Sequence, residues 1–123
     1  MILVDTSVWI DHLRAGDPTL SKLLKHGEVL THPFVVGEVA LGSLRQRAIV
    51  IGALLNLPRA IAAKDDEVLR FIDAESLAGL GIGYIDAHLL AATRLTPETS
   101  FWTRDRRLLD VARRLSLAAE SKE

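Results

Sequence analysis

The sequence predicts an α/β protein: a three-layer α/β/α domain on a central parallel sheet. Three observations predict it. Ile2-Leu3-Val4 is apolar without alternation, the pattern of a strand covered on both faces, and it stops at a carboxylate, Asp5. Short apolar runs then alternate with helical patterns, as parallel strands joined by crossover helices require. The strand-like runs also end in polar residues, and in open α/β sheets ligand sites lie outside the carboxyl ends of the strands.

After the first strand, Thr6 or Ser7 can cap a helix in which Trp9 and Leu13, four residues apart, pack back on the sheet. Ala15-Gly16-Asp17-Pro18 breaks the chain and restarts it, with Asp17 as N-cap, Pro18 at the first helical position and Leu20, Leu23 and Leu24 as one apolar stripe. Gly27 ends that helix, and Glu28-Val29-Leu30-Thr31 makes a short second strand. Pro33 opens a third helix reaching Leu41. A fourth runs from about Leu44 to Leu55; its section from Ile49 is apolar all round, so one side can face the domain and another a second subunit, which leads us to expect a homodimer. Leu57-Pro58-Arg59-Ala60-Ile61 suggests a short third strand. Lys64-Asp65-Asp66-Glu67 starts a further helix with acids that suit its dipole, and Val68, Leu69, Phe71 and Ile72 give it a core face. Gly79-Leu80-Gly81-Ile82-Gly83 is a flexible joint; no strand precedes it, so it is no dinucleotide fingerprint. Tyr84 to Thr93 is the next helix, Pro97 breaks the chain, Ser100-Phe101-Trp102-Thr103 reads as a strand, and Arg104-Asp105-Arg106-Arg107 leads into a final helix.

A chain of 123 residues suits one domain over residues 1–123, able to bury roughly two thirds of the surface its unfolded form exposes. It has no cysteine, hence no disulfide and no thiolate metal site. The first residues lack the features of a signal peptide, and no apolar run approaches the ~20 residues a membrane span needs, so a cytoplasmic protein without a membrane association is expected. Fifteen Lys plus Arg against sixteen Asp plus Glu give a net charge of -1, so any affinity for nucleic acid must come from a local patch. The apolar fraction of 49% is high for so short a chain and points to a partner or oligomer interface.

Two acids resist ordinary explanation. Glu38 has Phe34, Val35, Leu41 and Gly42 at helical offsets, and Asp86 has Ile82, Gly83, Leu89 and Leu90, so both are expected on the core side. Desolvating an unpaired carboxylate costs several kcal/mol, so such a group is protonated, paired or metal-bound, unless it is a rim residue reaching water. Asp5 and Asp105 each follow a short strand and precede a helix, where capping would explain either alone. A parallel sheet gathers strand ends at one edge, where Asp5 and Asp105 can meet and the helices bearing Glu38 and Asp86 can face them. Four converging carboxylates call for a divalent cation, and all-oxygen ligation suits Mg²⁺ or Mn²⁺, which bridges phosphate oxygens. That is chemistry for phosphodiester hydrolysis. His12, His26, His32 and His88 show no paired metal-ligand spacing, and no serine stands in a nucleophile-elbow pattern. Arg104 and Arg106 flank Asp105 and are placed to hold phosphates, whereas Arg113 and Arg114 read as a solvated helix face.

Asp5 in Val4-Asp5-Thr6-Ser7, Glu38 in the helix ending Ala40-Leu41-Gly42, Asp86 in Asp86-Ala87-His88-Leu89-Leu90-Ala91-Ala92 and Asp105 in Trp102-Thr103-Arg104-Asp105 together resemble the acidic quartet of PIN-domain ribonucleases. Length and overall pattern resemble the VapC-type toxins of toxin–antitoxin pairs, and the resemblance spans nearly the whole chain. It implies a flavodoxin-like parallel sheet, Mg²⁺- or Mn²⁺-dependent endonucleolytic cleavage of RNA, homodimerisation, and inhibition by a cognate VapB-like antitoxin. It makes Asp5, Glu38, Asp86 and Asp105 the catalytic and metal-binding set. Thr6 and Thr103 would offer hydroxyls near the metal or phosphate, and Arg104 would stabilise the charge added when an acidified water attacks phosphorus in line. One departure is Arg107, where some relatives carry a further acid, which leaves one or two metals open. The same site acting on DNA is an alternative, although nucleases of that kind carry helical arches that need a longer chain. A PIN-like binding domain without cleavage would be marked by lost acids, and all four are present. A phosphoacceptor receiver domain would want an acidic pair after the first strand and a lysine after the last, which this chain lacks.

Overall fold

A computed structural model describes residues 1–120. Among them three parallel strands form one sheet: β1 (Ile2–Val4), β2 (Val29–Leu30) and β3 (Ser100–Trp102), in the order β2-β1-β3. The run of apolar residues in β1 takes the centre, where Leu3 and Val4 are fully buried. Ile2 lies opposite Val29 and Ser100, Leu3 opposite Leu30 and Phe101, and Val4 opposite Trp102. Single bridges, Thr31 to Arg59 and Phe101 to Ala118, lengthen the sheet at its edges. The first of these is all that stands where a third strand was expected from Leu57 to Ile61. The Pro58 carbonyl accepts from the Thr31 N–H at 2.8 Å and the Ala60 N–H returns to Thr31 at 2.9 Å, but proline has no N–H to carry the ladder on.

Seven helices among the described residues complete the three-layer α/β/α fold: α1 (Thr6–Ala15), α2 (Pro18–Lys25), α3 (Pro33–Ala40), α4 (Arg47–Leu55), α5 (Asp65–Ala74), α6 (Tyr84–Leu95) and α7 (Arg106–Arg114). Helices α1, α2, α3, α6 and α7 join the core through Val8, Leu20, Val35, Leu89, Leu90 and Leu108, each almost without exposure, while Val68 of α5 packs with Ala87 and Ala91 of α6. As the punctuation predicts, Asp17 caps α2 by accepting the Leu20 N–H at 2.9 Å, with Pro18 at the first helical position. His32 caps α3, its Nδ1 accepting the Phe34 N–H at 3.0 Å. Burial, with the nearby charges of His88 and Arg59, pushes the His32 pKa down to about 4, which keeps the ring a neutral acceptor.

Two element boundaries differ from expectation. Asp5, rather than Thr6 or Ser7, is the N-cap of α1. Helix α4 starts at Arg47 rather than near Leu44, behind Gln46 in the left-handed region (φ 53°). The Arg47 guanidinium folds back on the carbonyls of Ala40 and Gly42, supplying donors that the end of α3 lacks and holding the connection as a turn. Within α4, Leu54 is buried while Ile49 and Leu55 are 67% and 63% exposed, so the helix shows one apolar side to the domain and another to solvent. No helix among the described residues is long and apolar enough to cross a membrane.

Candidate active site

The C-terminal edge of the sheet carries Asp5 directly after β1 and, three residues beyond β3, Asp105. The ladder runs on to the first of them, whose N–H donates to the Trp102 carbonyl at 2.9 Å. Asp5 is 6% exposed. Its Oδ2 accepts the hydroxyls of Ser7 at 2.6 Å and Thr103 at 2.8 Å, and as N-cap it also lies 3.4 Å from the Ser7 amide. Thr103 in turn accepts the Asp105 N–H at 3.1 Å, and Ser7 Oγ accepts the Arg104 N–H at 3.0 Å. Two hydroxyls thus tie the end of β1 to the loop after β3.

The other two acids come from helices. Glu38, on α3, accepts the Thr6 hydroxyl on Oε1 at 2.7 Å. Asp86, in the first turn of α6, accepts the Gly83 N–H on Oδ2 at 2.9 Å and so closes the helix N-terminus. Both are half-buried at the rim, so the expectation that they point into the core is corrected: Thr6 and the α6 N-terminus give them polar partners at the edge. Burial raises the pKa of Asp86; the Gly83 N–H opposes this, and the charges of Asp5, Asp105 and Glu38 push it higher still. The quartet therefore shares one electrostatic environment. Asp105 itself is exposed and caps α7, its Oδ1 accepting the Leu108 N–H at 3.0 Å.

Each carboxylate spends one oxygen on these bonds. Asp5 Oδ1, Glu38 Oε2, Asp86 Oδ1 and Asp105 Oδ2 accept no hydrogen bond among the described residues. As the side chains stand, no three acids or histidines of the described residues close on a common point. Four unspent hard oxygens, one on a residue as buried as Asp5, nonetheless fit a hard divalent cation in donor type and number.

Arg104 does not present a free guanidinium to this edge. It pairs with Asp11 at 2.6 Å and with Asp17, over the ring of Trp102. The hydrogen bond it donates to Asp11 raises its pKa, burial opposes this, and Asp17 adds to the rise. Arg104 is thus a brace between α1, the cap of α2 and the loop after β3, and its expected hold on a phosphate is corrected accordingly. Sequence reasoning missed Ser7, which it weighed only as a helix cap; its place two residues after Asp5, in reach of that carboxylate, was the available signal. Also missed was the environment of His88, buried with Nε2 3.2 Å from Asp65 Oδ1 between the ring edges of Phe34 and Tyr84.

The model of the PIN domain family matches residues 2–114. Two curated relatives, each named Ribonuclease VapC32, from Mycobacterium tuberculosis strains CDC 1551 / Oshkosh and ATCC 25618 / H37Rv, are 49% identical over 108 residues, covering 88% of this chain and 87% of theirs.

Proposed function

The chain belongs to the PIN domain family, and from that premise we propose that it is a divalent-metal-dependent endoribonuclease, the toxin of a toxin–antitoxin pair. The reading rests above all on Asp86, whose carboxyl feels Asp5, Asp105 and Glu38 at one sheet edge. The name ribonuclease, carried by relatives at 49% identity, supports RNA as the substrate. Asp5, Glu38, Asp86 and Asp105 would hold Mg²⁺ or Mn²⁺, which when bound would make a water more acidic and offset negative charge on the phosphate.

The chain's own groups do the positioning. Ser7 and Thr103 fix Asp5 through one oxygen and leave the other without a hydrogen bond among the described residues. Thr6 does the same for Glu38, and Thr103 orients the loop of Asp105 by accepting its amide proton. Arg104 braces that loop from behind. Its charge is spent on Asp11 and Asp17, so it serves geometry rather than phosphate binding. The remaining assignments follow from the same reading: one domain over residues 1–123, a cytoplasmic homodimer using the exposed apolar side of α4, and a VapB-like antitoxin as inhibitor.

Incubation of purified, antitoxin-free protein with total RNA, with Mg²⁺ or Mn²⁺ in one tube and EDTA in another, beside Asp5→Asn, tests the reading. Discrete fragments that need both the ion and Asp5 are expected. Cutting that survives EDTA, or that Asp5→Asn leaves intact, would remove the assignment.

A further inference from the structure

We propose that Arg107 is a phosphate clamp of this site, its guanidinium seated on Gly81 to hold the RNA backbone beside the acidic quartet; the inference rests on the ribonuclease reading. Arg107 makes no ion pair and no hydrogen bond through its side chain among the described residues, so its guanidinium N–H groups are unspent. It is nevertheless placed. A Cβ added at Gly81 would fall 2.7 Å from Arg107 Nη1, 3.0 Å from Cδ and 3.3 Å from Cζ, so the glycine leaves room for the guanidinium where any side chain would displace it. Gly81, in the left-handed region at φ 82°, belongs to the segment that delivers Asp86, and Arg107 stands two residues beyond Asp105. The contact therefore joins the two segments that carry these acids.

Charge placement points the same way. Arg106 and Arg107 occupy the first turn of α7, where the helix dipole disfavours cations and the one acid beside them is the N-cap Asp105, itself a member of the quartet. A phosphate there would repay that arrangement. Four carboxylates around one divalent ion keep a net negative charge, which repels an incoming polyanion unless a cation is fixed nearby. Arg104, the neighbour in sequence, is neutralised by Asp11 and Asp17. Of the two arginines left without an ion pair at this turn, Arg106 and Arg107, it is Arg107 that packs on Gly81, and a guanidinium grips phosphate through two parallel N–H bonds.

The test is fluorescence-anisotropy binding of a labelled, random-sequence single-stranded RNA oligonucleotide over a range of salt, on the Asp5→Asn chain so that nothing is cut. Adding Arg107→Gln should weaken binding roughly 10-fold at low salt and lower the salt slope by about 0.7, one phosphate of a single strand. Arg107→Lys should restore the slope and only part of the affinity, because an ammonium lacks the fork. Gly81→Ala should weaken binding in the parent but not further in Arg107→Gln, which separates loss of the seat from backbone strain. In cutting assays on the otherwise native chain, Arg107→Gln should raise KM with kcat little changed. Unaltered affinity and slope in Arg107→Gln, while the native chain still cuts RNA, overturns the clamp alone. A native chain that neither binds nor cuts RNA overturns the ribonuclease reading and the clamp with it.

Discussion

Asp5 is held at the seam of β1 and β3 by two hydroxyls on a single oxygen and by a sheet ladder that runs through its own amide, whereas Glu38 and Asp86, half-buried on helices, take one hydrogen bond each. The seam is fixed by contacts that no ion is needed to maintain. The rim depends on how α3 and α6 are seated, and on Asp86 it accumulates the repulsion of the whole quartet. The two halves therefore differ in how many contacts hold their acids: several at the seam, one each at the rim.

The widest gap between the halves should appear at Asp5. Asp5→Asn should cut cleavage on the order of 1,000-fold or more, about 4 kcal/mol of barrier, with the circular dichroism spectrum unchanged. A collapsed fold instead would mean that the seam needs the charge for stability as well as for chemistry.

Acid should attack the rim through the cap of α3. The pKa of His32 is lowered from 6.5 to about 4 in the folded chain, so the folded state binds fewer protons than the unfolded one between those values. Its stabilising contribution is present above pH 6.5 and is lost as pH falls toward 4, on the order of 3 kcal/mol in all. Melting temperatures of the metal-free chain across that window should fall more steeply than those of His32→Asn, which keeps a capping side chain that does not titrate. Parallel curves would show that α3 is seated by other contacts.

Supporting hydroxyls sharpen the contrast at a smaller scale. Thr103→Val removes a buried donor to Asp5 and the acceptor of the Asp105 amide, and should cost roughly 10- to 100-fold in kcat with about 1–3 kcal/mol of stability. Thr6→Val, at the rim, should cost only a few-fold and leave the melting temperature almost in place, since Glu38 is half-buried and water can replace the donor. Equal losses in kinetics and calorimetry would erase the distinction between the halves.

The smallest effect lies behind the seam. Burial alone would raise the Asp17 pKa, but the Leu20 amide and Arg104 overcome it and hold the carboxyl below 3.8. Its contribution is therefore complete above that value and lost as pH falls through the lower folded pKa. Asp17→Asn keeps the cap of α2 while removing the charge, so it should lower stability at pH 7 by at most about 1 kcal/mol, with the difference closing in strong acid. Thermal unfolding at both ends of that range is the check.

Most of the fold is legible because its punctuation is local. Asp17-Pro18 and His32-Pro33 announce helix starts by rules that operate within one turn, and the unbroken apolar run of β1 announces a covered strand. The four acids stand out in the sequence for two reasons: Asp5 and Asp105 follow short strands, and Glu38 and Asp86 have apolar residues at their helical offsets. Arg104 was misassigned because its partners Asp11 and Asp17 lie 93 and 87 residues away along the chain, and no periodicity reports so distant a pair. Ser7 was underrated because a serine after a strand can cap a helix or hold a carboxylate, and only the arrival of Thr103 decides which. The seat of Arg107 on Gly81 was hidden likewise, since a glycine in a flexible segment looks like a hinge until its neighbour is seen.

The bond from Thr103 to Asp5 closes a loop of sequence separation 98. On a ribosome adding 5–20 residues per second, Asp5 waits on the order of 5–20 s before the residues that pin it have been made. Because β1 pairs with β3 across the same distance, the central strand has no complete sheet to join until almost the whole described chain exists. A growing chain therefore carries its first acid without the means to aim it. On the ribonuclease reading proposed above, synthesis itself is an interval in which the acidic site is not yet assembled.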